Sequence, residues 1–298
     1  MTKYTSKLTV NILTFRTEKK ILNDCINSID KSIPINIIEN STNFQHEVSF
    51  KKKRKNIKVF CTGNNFGYGK GHNYGFFKTK TRYVLICNPD VIFKKNYFKK
   101  VIKYLKKKVK FNIIGSQYIR NKMNRPAYGL FETKKINPYI KKDVNGLQKV
   151  NWVVGCTMLF DLNKFLKKKI FDENFFLFYE ETDLCRRIMK KNGIIYSSSD
   201  LIIDHLGEKS SFAAIPELKV DYVKLRNWHL LWSSFYYEKK HFGYFFSFKK
   251  HLFSLVKDAM KIIFYIILFN KEKYLKHLYR FSGLISSMIG KKSNFRIY

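Results

Sequence analysis

The run LTVNILTF at residues 8–15, followed by Ile21, Leu22, Cys25, Ile26 and Ile29, decides the fold of this chain. A short, mostly apolar and β-rich segment has the length of a buried strand, and the spacing of the apolar residues that follow it marks one face of a helix. The result is a βα unit, and it recurs. Residues 35–38, 57–61 and 83–87 read as further buried strands, and Tyr97, Phe98, Val101, Ile102 and Leu105 as a further helix face. Strands alternating with helices predict an α/β fold with a mainly parallel central sheet covered on both faces.

Length and composition bound what surrounds that sheet. The 298 residues suffice for one large domain or one domain with an appendage. A hydrophobic content of 45% supplies a core, and five prolines with fourteen glycines do not make long disordered linkers. From about residue 215 the pattern changes to aromatic-rich helical stretches, 222–237, 248–269 and 274–289. The expected organisation is therefore a first domain over 1–214 and a helical region over 215–298. The mixture of Phe, Tyr, Leu and Ile with Lys suits helices on an anionic membrane surface or helices packed on the first domain.

The formal charge of +36 fits a phosphate-bearing partner: a nucleic acid, an anionic lipid or a phosphorylated small molecule. The lysines come in scattered pairs and triples (51–55, 106–108, 167–169), which a solvated basic surface explains equally well. A basic nucleic-acid- or glycan-binding protein without catalysis is the alternative reading of this charge, but no nucleic acid is expected, because RNP, KH, helix-turn-helix and zinc-finger patterns are absent. Cys25, Cys61, Cys87, Cys156 and Cys185 are odd in number and lack C-x-x-C spacing, which argues against a disulfide framework or a zinc site. The longest apolar run, 262–269, is far shorter than the ~20 residues of a membrane span. The expectation is a cytoplasmic chain, neither secreted nor membrane-spanning. Oligomeric state leaves no sequence signal.

Ligands of such sheets bind beyond the carboxyl ends of the strands. Four ends carry polar or unusual residues: Thr14-Phe15-Arg16, Glu39-Asn40-Ser41, the glycine-rich stretch 63–75, and Asn88-Pro89-Asp90. The glycine-rich stretch lacks a G-K-[ST] ending and is not a P-loop; it reads as a flexible loop or, with Asn65 and Asn73, as a binding loop. Asp90 is either a turn former or a carboxylate positioned for a hard divalent cation. Acid residues cluster at a predicted helix start over 171–187, where Glu180 and Asp183 share a face and Asp183 can pair with Arg187. Glu181 faces elsewhere, as a capping carboxylate or as a group free to act. His205, after the apolar residues 201–203, is a packed core histidine or a metal ligand.

In this order the segments resemble family 2 glycosyltransferases of the GT-A fold, particularly the bacterial rhamnosyltransferase-like group, over about residues 6–210. The Thr-Tyr-Asn-like turn of that group is matched by Thr14-Phe15-Arg16, and its acidic-Asn-Ser turn by Glu39-Asn40-Ser41. Ile86-Cys87-Asn88-Pro89-Asp90 stands where relatives carry D-x-D, and 155–160 is similar to the family's G-x-x-M-L-F strand. The most specific match is F-D-E-x-F-F followed by E-D-x-D-L-x-x-R, here residues 171–187, with Glu181 where relatives usually carry Asp.

The resemblance implies an inverting transfer of a sugar from a UDP- or dTDP-sugar, rhamnose favoured, to a hydroxyl of a cell-surface glycan or its lipid-linked precursor. It implies Glu181 as general base and Thr14, Phe15, Glu39, Asn65, Gly67, Asn73, Asn88 and Asp90 on the donor side, with Glu39 at the pyrimidine base. Trp152, Gly155, Glu180 and Asp183 fall on the acceptor side, Trp152 as a sugar-stacking face or a core residue. Asp90 with His205 would hold Mg²⁺ or Mn²⁺, and the loop 121–148 would shape sugar selectivity. An oligosaccharide or lipid-linked acceptor and the inner face of the cell membrane are the implied surroundings.

Overall fold

A computed structural model describes residues 5–120, 123–125, 128–129, 146–207 and 218–296. The element order is β1 (Leu8–Thr14), α1 (Lys19–Asn27), β2 (Ile35–Glu39), α2 (Glu47–Lys53), β3 (Ile57–Cys61), α3 (Tyr68–Lys78), β4 (Tyr83–Cys87), β5 (Val91–Phe93) and α4 (Tyr97–Lys106). There follow β6 (Ile113–Arg120), β7 (Met123–Arg125), β8 (Tyr128–Gly129), β9 (Leu147–Lys149), β10 (Trp152–Val153), β11 (Thr157–Asp161), α5 (Glu180–Lys190) and β12 (Ile195–His205). Helices α6 (Lys219–Phe242), α7 (Tyr244–Ile267) and α8 (Lys271–Met288) complete the chain.

Two compact units are present. One comprises 1–66, 70–172 and 181–211; the other comprises 67–69, 173–180 and 212–298. The expected boundary at residue 215 and most of the loop 121–148 lie outside the described residues. Sequence patterning did not anticipate that 67–69 and 173–180 would group with the C-terminal helices.

The main sheet of the first unit runs β3-β2-β1-β4-β11-β6-β12-β5. Its first four strands are parallel, as the βα repeats require. Beyond β4 the sheet is mixed: β11 is antiparallel to both neighbours, β12 runs parallel to β6, and β5 antiparallel to β12. Every residue of β1, β2 and β4 is buried, the signature of strands covered on both faces.

One polar set interrupts this apolar layer. Asn36 Nδ2 donates to Asn11 Oδ1 (3.0 Å), Asn11 Nδ2 to Thr79 Oγ1 (3.1 Å), and Thr79 Oγ1 to the Gly75 carbonyl (2.8 Å). The set ties the C-terminal end of α3 to β1 and β2. A Cβ on Gly75 would lie 3.0 Å from Asn11 Nδ2, and one on Gly71 would lie 2.6 Å from Leu13 Cδ1. These glycines let the helix lie close on the sheet. The stretch read as a flexible or binding loop is thus helical from Tyr68 onward, where Gly71 and Gly75 answer to packing, while Gly63 and Gly67 before the helix take positive φ (+83° and +77°).

In the second unit α6 and α8 meet backbone to backbone: a Cβ on Gly283 would lie 2.2 Å from the Trp228 carbonyl oxygen. Leu231, Phe235, Leu284 and Met288 form the core between them.

Candidate active site

The carboxyl ends of β1 and β2 open onto a cavity of about 720 Å³ lined by Arg16, Lys19, Glu39, Ser41, Phe44 and His46, among others. That volume is within the usual range for a small-molecule site, ~300–1,000 Å³. Glu39 is buried at its edge and held in place: it accepts hydrogen bonds from Thr14 Oγ1 (2.6 Å), Ser41 Oγ (2.7 Å) and the Arg16 amide (3.4 Å). Parallel pairing sets Thr14 opposite Glu39, so the two strand-end motifs meet because of sheet register. A carboxylate offers about four acceptor positions, so Glu39 retains capacity for a ligand donor. Phe15 is half-buried, with the Arg16 guanidinium 5.4 Å from its ring centroid. Phe44 and His46 were not singled out from the sequence, since segment 41–46 carries no periodic pattern.

Asn40, buried beside Glu39, fastens the next loop. Its Oδ1 accepts from the Phe66 amide (3.0 Å) and Thr62 Oγ1 (3.2 Å), and its Nδ2 donates to Asn65 Oδ1 (3.1 Å). Asn65 is thereby brought to the end of β2. Asn73 is placed differently from the donor-side expectation. Its Oδ1 accepts from the amides of Ile170 and Phe171 (2.9 Å each), and its Nδ2 donates to the Phe171 carbonyl (2.9 Å). Buried on α3, its amide clasps the backbone that leads into residues 171–187. Gly67 has φ +77°, and a Cβ there would lie 2.2 Å from the Phe176 carbonyl oxygen. Its lack of a side chain serves the backbone of 173–180, which also accepts the Tyr68 amide at Phe176 (3.0 Å).

Asp90 lies in the turn between β4 and β5, fully buried, and neither carboxylate oxygen has a hydrogen-bond partner. His205, at the end of β12, pairs with Val91 across the antiparallel β5–β12 ladder. This register brings its Nε2 to 3.5 Å from Asp90 Oδ1. Two ligands of one divalent ion, each ~2.1 Å from it, lie ~3.0–3.5 Å apart. A buried carboxylate without hydrogen bonds is costly unless something cationic completes it, so these residues fit a divalent metal. Among the described residues no group of three or more His, Cys, Asp or Glu side chains gathers as a ligand set. Water and phosphate oxygens would complete the coordination of an ion bound here, the usual pattern for Mg²⁺. Asn88, two residues earlier, is half-buried, and its amide donates to the Cys156 carbonyl (3.0 Å).

Glu181 stands in the first turn of α5. Burial raises its pKa above the ordinary 4.5, and the amides of Glu181 and Thr182 pull it partly back. The residue keeps some exposed surface while its carboxyl is surrounded by protein. The buried Cys156 thiol is pushed up to about 12, by burial first and then by the negative charges of Asp90 and Glu181. Cys156 therefore lies within electrostatic reach of both carboxylates. Trp152 Nε1 donates to Thr182 Oγ1 (3.1 Å), which brings the indole beside the residue after Glu181. Gly155 is buried next to Cys156. Asp183, fully buried, accepts from Arg187 Nε (2.7 Å), whose NH2 group also donates to the Ile170 carbonyl (2.8 Å). It braces α5. Glu180 is buried and groups with the second unit.

The profile described as Glycosyl transferase family 2 matches residues 11–174. The chain is 23% identical over 195 residues to the low-salt glycan biosynthesis hexosyltransferase Agl10 of Haloferax volcanii, covering 62% of each protein. It is 25% identical over 150 residues to rhamnosyltransferase WbbL of Escherichia coli, covering 43% of this chain and 56% of that one. The chain thus spans less than two thirds of the length of either relative. Among solved structures it is similar to the mannosyltransferase PcManGT from Pyrobaculum calidifontis in complex with GDP-Man and Mn²⁺ (TM-score 0.53, 10% identity, 96% of this chain and 88% of that one). It is also similar to GalNAc-T7 with UDP, GalNAc and Mn²⁺ (TM-score 0.53, 13% identity, 66% of this chain and 44% of that one). At such identities the structural likeness speaks for the fold, which is the expected GT-A fold. With more than half of its length matched by one profile, the chain belongs to glycosyl transferase family 2.

Proposed function

We propose that the protein is an inverting glycosyltransferase that moves a sugar from a nucleoside-diphosphate donor to a hydroxyl of a cell-surface glycan or its lipid-linked precursor. The observation that carries this reading is the buried Asp90 carboxylate, without hydrogen bonds and 3.5 Å from His205 Nε2. The cavity at Glu39 receives the nucleoside, with Thr14, Arg16 and Phe44 around it. Asp90 and His205 would hold Mg²⁺ or Mn²⁺, which would supply Lewis-acid neutralisation of charge on the diphosphate.

Glu181 takes the proton of the acceptor hydroxyl. The freed oxygen pair forms a bond to the anomeric carbon as the bond from that carbon to the diphosphate oxygen breaks, and a single displacement inverts the centre. General-base help of this kind contributes ~10²–10⁴-fold. The raised pKa of Glu181 makes it a stronger base than an exposed glutamate once ionised. Trp152 offers a stacking face for the acceptor sugar, and Gly155 leaves room beside it.

A UDP- or dTDP-sugar is the proposed donor, with rhamnose favoured; similarity to a rhamnosyltransferase supports that choice. Residues 1–214 are proposed as the catalytic domain and 215–298 as a helical appendage, in a protein working at the cytoplasmic side. The test is release of nucleoside diphosphate from a panel of UDP-, dTDP- and GDP-sugars, with an acceptor lipid or oligosaccharide, under Mn²⁺ or EDTA. Metal-dependent turnover of one donor, lost in Glu181→Gln, is the expected result. Full activity of Glu181→Gln would remove the assigned mechanism.

A further inference from the structure

Helix α7 presents one face that nothing among the described residues covers. Phe246, Phe253, Met260, Phe264 and Ile267 follow one another at spacings of seven, seven, four and three, and all are exposed, Phe253 at 77%. These spacings put them on one side of a helix. The opposite side holds Ser247, His251 and Asp258, all buried. At 1.5 Å per residue the apolar stripe runs for roughly 30 Å. Phe269, just past the helix, is also 95% exposed. A fully presented Phe carries ~150–250 Å², so the stripe exceeds the ~300–600 Å² of the largest apolar patch on an ordinary monomer.

Charge selects what covers it. Asp258 is the one acidic residue of α7, and it is turned inward, where it accepts from His277 Nδ1 (2.6 Å) and Arg280 Nε (3.1 Å). Lys249 and Lys257, four residues on either side of Phe253, are exposed at the margins of the stripe. The outward face is therefore apolar and cationic. A second copy of a chain carrying +36 would meet it with like charge. No helix among the described residues is long and apolar enough to cross a membrane.

We infer that α7 lies in the plane of an anionic lipid bilayer, with Phe253 and Met260 sunk among the acyl chains and Lys249 and Lys257 reaching back to lipid phosphates. This is the arrangement of an in-plane amphipathic helix. It does not depend on the catalytic reading, since every residue it uses belongs to the helical unit.

The test is cosedimentation of the full chain with vesicles of phosphatidylcholine alone and of phosphatidylcholine with phosphatidylglycerol. Binding is expected to the second kind. Each Lys near an anionic surface strengthens binding about fivefold, so Lys249→Glu with Lys257→Glu lowers it at least ~25-fold. Phe253→Glu with Met260→Glu lowers it about 100-fold or more, from two lost apolar insertions. Both pairs change exposed positions, and unchanged circular dichroism establishes that the fold is kept. Brominated lipids quench a Trp placed by Phe253→Trp. The inference is overturned if the chain stays in the supernatant with anionic vesicles, or if the Phe253 and Met260 changes leave binding intact, which would mean surface adsorption by charge alone. It is equally overturned if the face proves to join two copies, read as self-association in sedimentation velocity that the same changes abolish.

Discussion

Replacing Asn73 by Ala separates a scaffold from a ligand contact. The side-chain amide of Asn73 makes three hydrogen bonds of 2.9 Å with the backbone at Ile170 and Phe171, and both of those residues are buried. Truncation leaves two N–H groups and one carbonyl without their partner. Each lost bond costs about 1 kcal/mol net, and each buried group left unsatisfied ~1–3 kcal/mol. A floor of about 3 kcal/mol follows, and the true loss exceeds it wherever water fails to reach the gap. For a unit of this size a loss of ~3 kcal/mol lowers the melting temperature by roughly 6–12 °C. The assay is thermal and urea unfolding of Asn73→Ala beside Asn65→Ala, whose side chain accepts from Asn40 Nδ2 and is half-buried. Asn65→Ala is expected to cost ~1 kcal/mol or less, with its effect falling on donor KM. If Asn73→Ala melts with the wild type and raises only donor KM, the scaffold reasoning is wrong and Asn73 is a donor contact.

Other outcomes follow from the same geometry. Under the general-base role proposed for Glu181, the carboxylate is the active form and burial raises its pKa, so turnover is expected to rise with pH through that pKa, with the acidic limb of kcat/KM above the ordinary 4.5. Glu181→Gln removes that limb and lowers kcat by ~10²–10⁴-fold, read in a stopped assay across pH. Asp90→Asn abolishes stabilisation by Mn²⁺ in thermal shift experiments, yet in EDTA it melts no lower than wild type, because it replaces a carboxylate that has no hydrogen bonds. A lower melting point in EDTA would mean that Asp90 is structural. Gly67→Ala puts a Cβ 2.2 Å from a backbone oxygen at a residue with φ +77°, and unfolding is expected to show a loss of at least about 2 kcal/mol.

The βα repeats were legible because burial on both faces leaves continuous apolar runs, and strands β1 to β4 begin where those runs begin. The Thr14 and Glu39 ends, the Asp183–Arg187 brace and the buried Leu184 and Ile188 also follow from local spacing. What local spacing does not encode is register. The approach of His205 to Asp90 depends on β12 pairing with β5, elements more than a hundred residues apart in sequence, and the separate readings of each residue stay open until that ladder exists. Two glycines of 63–75 depend on the fold in the same way: Gly71 and Gly75 let α3 approach Leu13, Asn11 and Ile38, partners that only the folded sheet supplies.

Residues 173–180 of the second unit include two held in a costly backbone conformation. Phe178 and Tyr179 both adopt left-handed backbone, φ +70° and +69°, which costs non-glycine residues ~1–3 kcal/mol each. Such a conformation persists only if its surroundings impose it. Within the second unit Ser233 Oγ donates to the Leu177 carbonyl (2.8 Å), Tyr179 Oη to Ser234 Oγ (3.1 Å), and the Phe176 ring lies 4.7 Å from that of His229 and 3.5 Å from the Arg296 guanidinium. These contacts fix the backbone of 173–180, and the next residues in the chain are the first turn of α5. Within the second unit, α6 therefore holds the strained loop 173–180 in one backbone conformation.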